Sequence, residues 1–340
     1  MKNFLVTGSA GFIGFHTCLK ILGQSKNVIG IDNFDNYYDI KLKKKRNNIL
    51  KKNKNFTFIK VDINNQKKIK KIFDDNKIDV VIHLAAQAGV RYSVLFPEKY
   101  IKVNVLGFFN IINNSQKKRI KHFLYASTSS VYGNNVNYPL KESYPASHPT
   151  HIYAATKRSN ELIAHSYSSL HNLPTTGLRF FTAYGPWGRP DMALFKFASN
   201  IINKKKIDIY NYGNHQRDFT YIDDVVECIN RAIYKIPKKN NFFNPKYPDP
   251  KISDCPYQII NIGGNNPLRL NKFIKLIEDF IKIKGKKRFL PLQKADIIKT
   301  QSSISWCRKV LKYVPKIDAK QGIKFFLIWY CNYYKKKLKK

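Results

Sequence analysis

One turn constrains this chain more than any other feature. Gly8-Ser9-Ala10-Gly11-Phe12-Ile13-Gly14 sits between the apolar run Phe4-Leu5-Val6-Thr7 and a stretch of helical spacing from Phe12 to Leu22. Glycines here permit a tight turn, close approach of backbone to a pyrophosphate, and close helix–strand packing. The helix N-terminus then faces the phosphates. The glycine pattern is weak alone, but it stands after a strand and before a helix, as such a site requires. Asp32 closes the next run, Val28-Ile29-Gly30-Ile31. An acid there can accept hydrogen bonds from adenosine ribose hydroxyls and would repel a 2′-phosphate, which argues for NAD over NADP. A turn-capping role is the alternative for Asp32. Asp62 follows a third run, Phe56 to Val61; it could contact adenine or close an Asx-turn.

Further strands are expected at Val80–Leu84, Phe123–Ala126 and Thr175–Phe180, with helical stretches such as Gln66–Asp75 and Asn104–Lys118 between strands. Strands alternating with helices imply right-handed crossovers. The expected class is therefore α/β, a doubly wound parallel sheet of Rossmann-like type with a smaller C-terminal α/β substrate domain. Past residue 180 the pattern loosens, with Pro and Gly clusters at Tyr184–Pro190 and Asn244–Pro256. The division expected is an NAD-binding domain over residues 1–180 and a mainly substrate-binding part over 181–340. Segments 218–236 and about 258–263 are expected to pack back onto the first domain. No uncharged apolar run reaches about 18 residues, so no membrane span is expected. The start of the chain leads straight into the glycine turn, so no signal peptide is expected. Five cysteines, an odd number without a C-x-x-C pair, indicate neither a disulfide framework nor a metal site and fit a cytoplasmic protein.

The charge needs its own reading. Sixty-one Lys+Arg against 22 Asp+Glu give a formal +39. Clustered cations can bind nucleic acid. Here the excess is nearly all Lys, spread along the chain, with dense patches at Lys41–Lys54, Lys67–Lys71, Lys204–Lys206 and Lys335–Lys340. Arg, whose fork makes specific contacts, is scarce. The chain is also rich in Asn, Ile, Phe and Tyr, which with Lys use A/T-rich codons. Compositional drift is the favoured reading over a polyanion partner, and the field would still favour an anionic small substrate.

Tyr153 and Lys157 lie at i and i+4 of a helical stretch and share one face. A free tyrosine has a pKa of about 10, and a nearby cation favours the phenolate, which makes it a usable general base. The strand end Ala126-Ser-Thr-Ser-Ser-Val-Tyr-Gly133 is rich in hydroxyls. Thr128 could bind the same substrate oxygen that Tyr153 deprotonates; strand-end capping is the alternative, above all for Ser127.

With these residues in place, the sequence resembles the extended short-chain dehydrogenase/reductases, within the NAD-dependent nucleotide-sugar epimerases. The resemblance spans nearly the whole chain. It rests on the glycine turn, His83-Leu-Ala-Ala86, Asn104, Thr128, Tyr153 with Lys157, and Arg217-Asp-Phe-Thr-Tyr-Ile-Asp-Asp224. Bacterial UDP-glucuronate 4-epimerases are similar in Asp32–Asp39, Gln87–Ser93 and Arg179–Ala193. The resemblance implies that Tyr153 takes the proton of the sugar 4-hydroxyl while hydride moves from C4 to NAD. The 4-keto sugar turns over and the hydride returns to its other face. Lys157 would hold the nicotinamide ribose and lower the Tyr153 pKa, and Thr128 would place the 4-oxygen. Cofactor contacts are expected from Gly8, Gly11, Phe12, Ile13, Gly14, Asp32, Asn33, Asp62, Ile63, Leu84, Ala85, Ala86, Asn104, Tyr153 and Lys157. Substrate contacts are expected from Arg91, Ser129, Ser130, Thr182, Arg189, Arg217 and Asp296, with Arg217 on the UDP diphosphate. A homodimer through helices around Asn104–Lys118 and Tyr153–Ser166 is the family expectation.

The two positions after Thr128 separate sister reactions. Related 4,6-dehydratases carry Asp-Glu there, and related decarboxylases a Glu in the second position. Here both are serines, Ser129 and Ser130. They could bind a carboxylate neutrally and leave it in place. Arg189 could grip the uronate, or pair with Asp191 in its own loop. A neutral-sugar epimerase acting on UDP-glucose or UDP-N-acetylglucosamine remains the alternative, and a non-catalytic or RNA-binding Rossmann-type protein a further one. Lys294-Ala295 and Ser303 depart from the family's pattern near the expected nucleotide end. His215 is read as a solvated loop residue.

Overall fold

The computed structural model of the protein describes residues 1–294 and 296–336. The departure at Ala295 and the end of the last lysine patch, 337–340, lie outside them. Seven parallel strands form the central sheet: β1 (Asn3–Thr7), β2 (Asn27–Asp32), β3 (Phe56–Lys60), β4 (Val80–His83), β5 (His122–Thr128), β6 (Thr175–Phe180) and, from late in the chain, Tyr257–Ile262. Between these last two run β7 (Thr182–Tyr184), β8 (Lys206–Tyr210) and β9 (Gln216–Tyr221), which makes Tyr257–Ile262 β10. The sheet order is β10-β6-β5-β4-β1-β2-β3.

Alternation along each strand feeds two cores. Phe4, Val6, Val80, Ile82 and Leu124 face one side, where the helices Phe12–Leu22 and Ile222–Tyr234 pack. Leu5, Val81, Phe123 and Tyr125 face the other, with Phe108 and Ile111 of the helix Gly107–Lys117 and Ala164 of the helix Ile152–His171. Near-continuous apolar strands follow from helices covering both faces. This is the doubly wound class read from the sequence.

Beyond β6, β7 pairs parallel with β9, which pairs antiparallel with β11 (Pro267–Arg269). A second small sheet joins β8 to β12 (Lys286–Leu290). The helix Ile222–Tyr234 returns to the first helix, with Gln24 Nε2 donating to Asn230 Oδ1 at 2.9 Å and Lys20 paired to Glu227 at 2.9 Å.

Two local differences from the sequence reading have physical causes. Lys41–Lys54, read only as a charge patch, overlaps the helix Ile40–Leu50, whose Lys43 and Arg46 are buried along with Leu42 and Leu50. Asn104–Lys118 begins as a π-turn, Ile101–Leu106, before the α-helix Gly107–Lys117. All five cysteines are buried, and each sulfur is unbridged.

Candidate active site

The sheet's strand order reverses between β1 and β4, and a crevice opens beyond the carboxyl ends of the strands, where open α/β sheets bind ligands. A cavity of about 730 Å³ fills it. Gly8 has φ +70, and a Cβ on it would lie 2.8 Å from Ala85 N, across the crevice. A Cβ on Gly14 would lie 2.1 Å from Gly8 O, so the helix could not start against the turn. The cavity wall on this side also carries Gly11, Phe12, Ile13, Asn33, Asp62, Ile63, Leu84, Ala85 and Ala86. This bare backbone cradle at a helix N-terminus fits a dinucleotide pyrophosphate.

Asp32 ends β2 in the same wall, accepting from Ala10 N at 3.1 Å and Phe34 N at 2.8 Å. Burial raises its pKa, opposed by Lys43. Asp62 takes Asn64 N at 2.8 Å, the Asx-turn of the alternative reading, and also Asn33 Nδ2 at 2.9 Å. Asn104 does not line the cavity, contrary to the cofactor contact expected of it. Its side chain is consumed elsewhere: Oδ1 accepts from Gln87 N at 2.8 Å, while Nδ2 donates to Gln87 O and Thr156 Oγ1. It ties the end of the β4 segment to the helix Ile152–His171 from behind the wall.

Tyr153 and Lys157 project from the first turns of that helix into the cavity, opposite Thr128 at the end of β5. Burial raises the Tyr153 pKa, while Arg189 and a hydrogen bond with Thr128 pull it down. Burial pushes the Lys157 ammonium down to about 7, opposed by Glu161 one turn on. Arg189 is thus one cation that favours the phenolate in the protein alone. Thr128 Oγ1 accepts from Ser130 N at 3.2 Å. Ser127, instead of capping the strand, donates to Glu161 at 2.6 Å. Arg179 grips the same carboxylate at 2.8 and 2.9 Å. This buried pair anchors the helix Ile152–His171 to β6.

Ser129, Ser130, Thr182 and Arg189 share the next stretch of wall. Arg189 donates through Nε to Asp191 at 3.0 Å and through Nη2 at 2.6 Å, the loop pair foreseen as its alternative, and Tyr37 OH donates to the same carboxylate at 3.0 Å. Arg91, Arg217 and Asp296 line the far end. Arg91 reaches Asp296 at 3.0 Å and lies 4.2 Å over the Tyr210 ring. Arg217 donates to Ile298 O at 2.8 Å, and burial pushes its pKa down to about 10. His215 is not a solvated residue: it is 6% exposed and lines this end of the cavity. Its loop folds between β8 and β9, so the ring turns inward.

Sequence reasoning missed Tyr37, Lys43, Tyr210 and His215 in the wall and Arg46 behind it. Arg46 is fully buried, and from the helix Ile40–Leu50 it donates to Ala10 O and Tyr38 OH at 2.9 and 2.8 Å, to Trp187 O, and to Gly188 O at 3.3 Å. It bridges the glycine turn and the loop bearing Arg189. The signal for it was Leu42 and Leu50 spaced around a cation within a charged run.

Residues 4–244 match the NAD dependent epimerase/dehydratase family. Protein CapI of Staphylococcus aureus is 47% identical over 334 residues, covering 98% of this chain and 100% of that one. The probable UDP-glucuronate 4-epimerase of Rhizobium meliloti is 40% identical over 335 residues, 98% of each. The crystal structure of UDP-glucuronic acid 4-epimerase from Bacillus cereus, in complex with UDP-glucuronic acid and NAD, superposes with a TM-score of 0.87 at 31% identity, covering 98% of this chain and 100% of that one. The chain belongs to the NAD-dependent epimerase/dehydratase family.

Proposed function

We propose that this member of the NAD-dependent epimerase/dehydratase family is a UDP-sugar 4-epimerase that interconverts UDP-glucuronate and UDP-galacturonate. Gly8, Gly11 and Gly14 would cradle the NAD pyrophosphate, Asp32 the adenosine ribose, and Lys157 the nicotinamide ribose. Bound there, NAD supplies a reversible hydride acceptor for sugar C4. Tyr153 removes the proton of the 4-hydroxyl and later returns it to the 4-oxygen of the turned 4-keto sugar, as C4 takes the hydride back on its opposite face. Thr128 donates to the 4-oxygen and holds it in line. Arg217 neutralises the diphosphate. Within this reading residues 1–180 serve mainly the cofactor and 181–340 mainly the substrate.

The observation that carries the uronate assignment is the hydroxyl wall. Ser129, Ser130 and Thr182 line the cavity beside Thr128, and no carboxylate occupies the two positions after Thr128. Neutral donors can hold a carboxylate there without an acid or base to expel water or carbon dioxide. One observation favours the second reading, a neutral-sugar epimerase: Arg189 is already paired with Asp191. Incubating the purified protein with UDP-glucuronate, UDP-glucose and UDP-N-acetylglucosamine, and separating the C4 epimers, tests both. Faster turnover of the neutral sugars would overturn the uronate assignment.

A cytoplasmic homodimer completes the reading. Leu106, Phe109 and Leu162 are exposed on the helices expected to meet, at 55%, 41% and 54%. No helix among the described residues is long and apolar enough to cross a membrane.

A further inference from the structure

His215 sits at the nucleotide end of the cavity, on the loop joining β8 to β9, two residues before Arg217. Its Nδ1 lies 3.1 Å from the Tyr210 carbonyl oxygen. A carbonyl only accepts, so Nδ1 carries the ring proton and the neutral ring presents a lone pair at Nε2. Nε2 is buried and receives no hydrogen bond from the described residues. Its neighbour across the cavity is Asp296 Oδ2, 4.0 Å away. The charged groups around the ring are Arg217, Asp296 and Arg91, and burial together with Arg217 keeps the imidazole below its usual range. At neutral pH the wall therefore offers two acceptors side by side, one of them unspent. A buried acceptor without a donor is costly, and a ligand that supplies the donor gains what the empty site lacks.

A vicinal diol has the matching chemistry, because its two adjacent hydroxyls can each donate to one acceptor. A lone hydroxyl or a base N–H would satisfy only one of the pair. We infer that His215 Nε2 and Asp296 Oδ2 together clasp the 2′,3′-diol of a ribonucleoside diphosphate, making His215 a specificity residue that selects ribonucleotide over deoxyribonucleotide sugars. The inference rests on the nucleotide-sugar reading above and adds to it which sugar of the nucleotide is read, and by which atom.

Titration calorimetry on the NAD-loaded protein with UDP, 2′-deoxy-UDP and 3′-deoxy-UDP tests it without relying on turnover. Loss of either hydroxyl should weaken binding about tenfold, the scale of one buried hydrogen bond. In His215→Leu one of the two penalties should vanish while the other stays. In His215→Gln, which can still present an acceptor, that penalty should return at least in part. Equal binding of UDP and both deoxy forms by the native protein overturns the inference alone. So does a His215→Leu protein that keeps both penalties. Failure of UDP itself to bind overturns the nucleotide-sugar reading, and the inference with it.

Discussion

At the scale of single residues, Tyr153 and Lys157 show how burial sets the proton affinity of candidate catalytic groups. Tyr153→Phe removes the phenol placed opposite Thr128 and should lower kcat by about 10²-fold or more, with NAD retained. Normal activity in that variant would sink the mechanism. Lys157 makes a different point, because its pKa is pushed down from 10.5 to about 7. A lysine with a lowered folded pKa opposes folding wherever the unfolded chain is protonated, because the folded state binds that proton less tightly. That penalty is absent above the unfolded value, grows as pH falls from 10.5 towards 7, and is complete below 7. Lys157→Met should thus be inactive yet more stable than the native protein at pH 6 to 7, with the advantage gone near pH 10.5. Urea unfolding of both proteins across that pH range measures it; a less stable variant at pH 6 would contradict it.

At the scale of elements, the turn and the helix Ile40–Leu50 act as one device. The turn provides room: Gly14→Ala would put a methyl carbon 2.1 Å from Gly8 O. That variant should purify with little NAD, measured by cofactor released on denaturation. Arg46 then joins the turn to the loop Gly185–Arg189 through carbonyls on both. Arg46→Met leaves those carbonyls without donors and should cost about 3 kcal/mol in urea unfolding. It should also depress activity more than cofactor content, because the loop carrying Arg189 loses its tether. An unchanged unfolding midpoint would show the carbonyls find other partners.

At the scale of the whole molecule, the +39 charge acts as a field, distinct from the few cations that touch the site. A dianionic diphosphate should be drawn in faster at low salt. We expect kcat/KM for UDP-glucuronate to fall several-fold between about 20 and 200 mM salt, with kcat nearly constant. A flat profile would leave the lysine surface without a part in substrate capture. The same scale explains the sheet. Strands with alternating apolar faces, separated by helical stretches, admit few arrangements, and β1 to β6 lie where the apolar runs place them.

The sequence by itself determined the layered parallel sheet, the glycine turn at its first strand, and the candidate trio Thr128, Tyr153 and Lys157. These are legible because strand and helix periods, a steric need for glycine, and an i, i+4 spacing are all local. Only the tertiary structure decided that Asn104 supports the wall from behind, that Arg46 and Lys43 are buried within a charged run, and that His215 turns inward towards Asp296. Each of those outcomes depends on what a distant segment places beside the side chain: Thr156 for Asn104, Trp187 for Arg46, and Asp296 for His215. Local pattern carries no information about such neighbours. The identity of a side chain is written in the sequence, but its partners, and so its charge state and its role, are chosen by the fold.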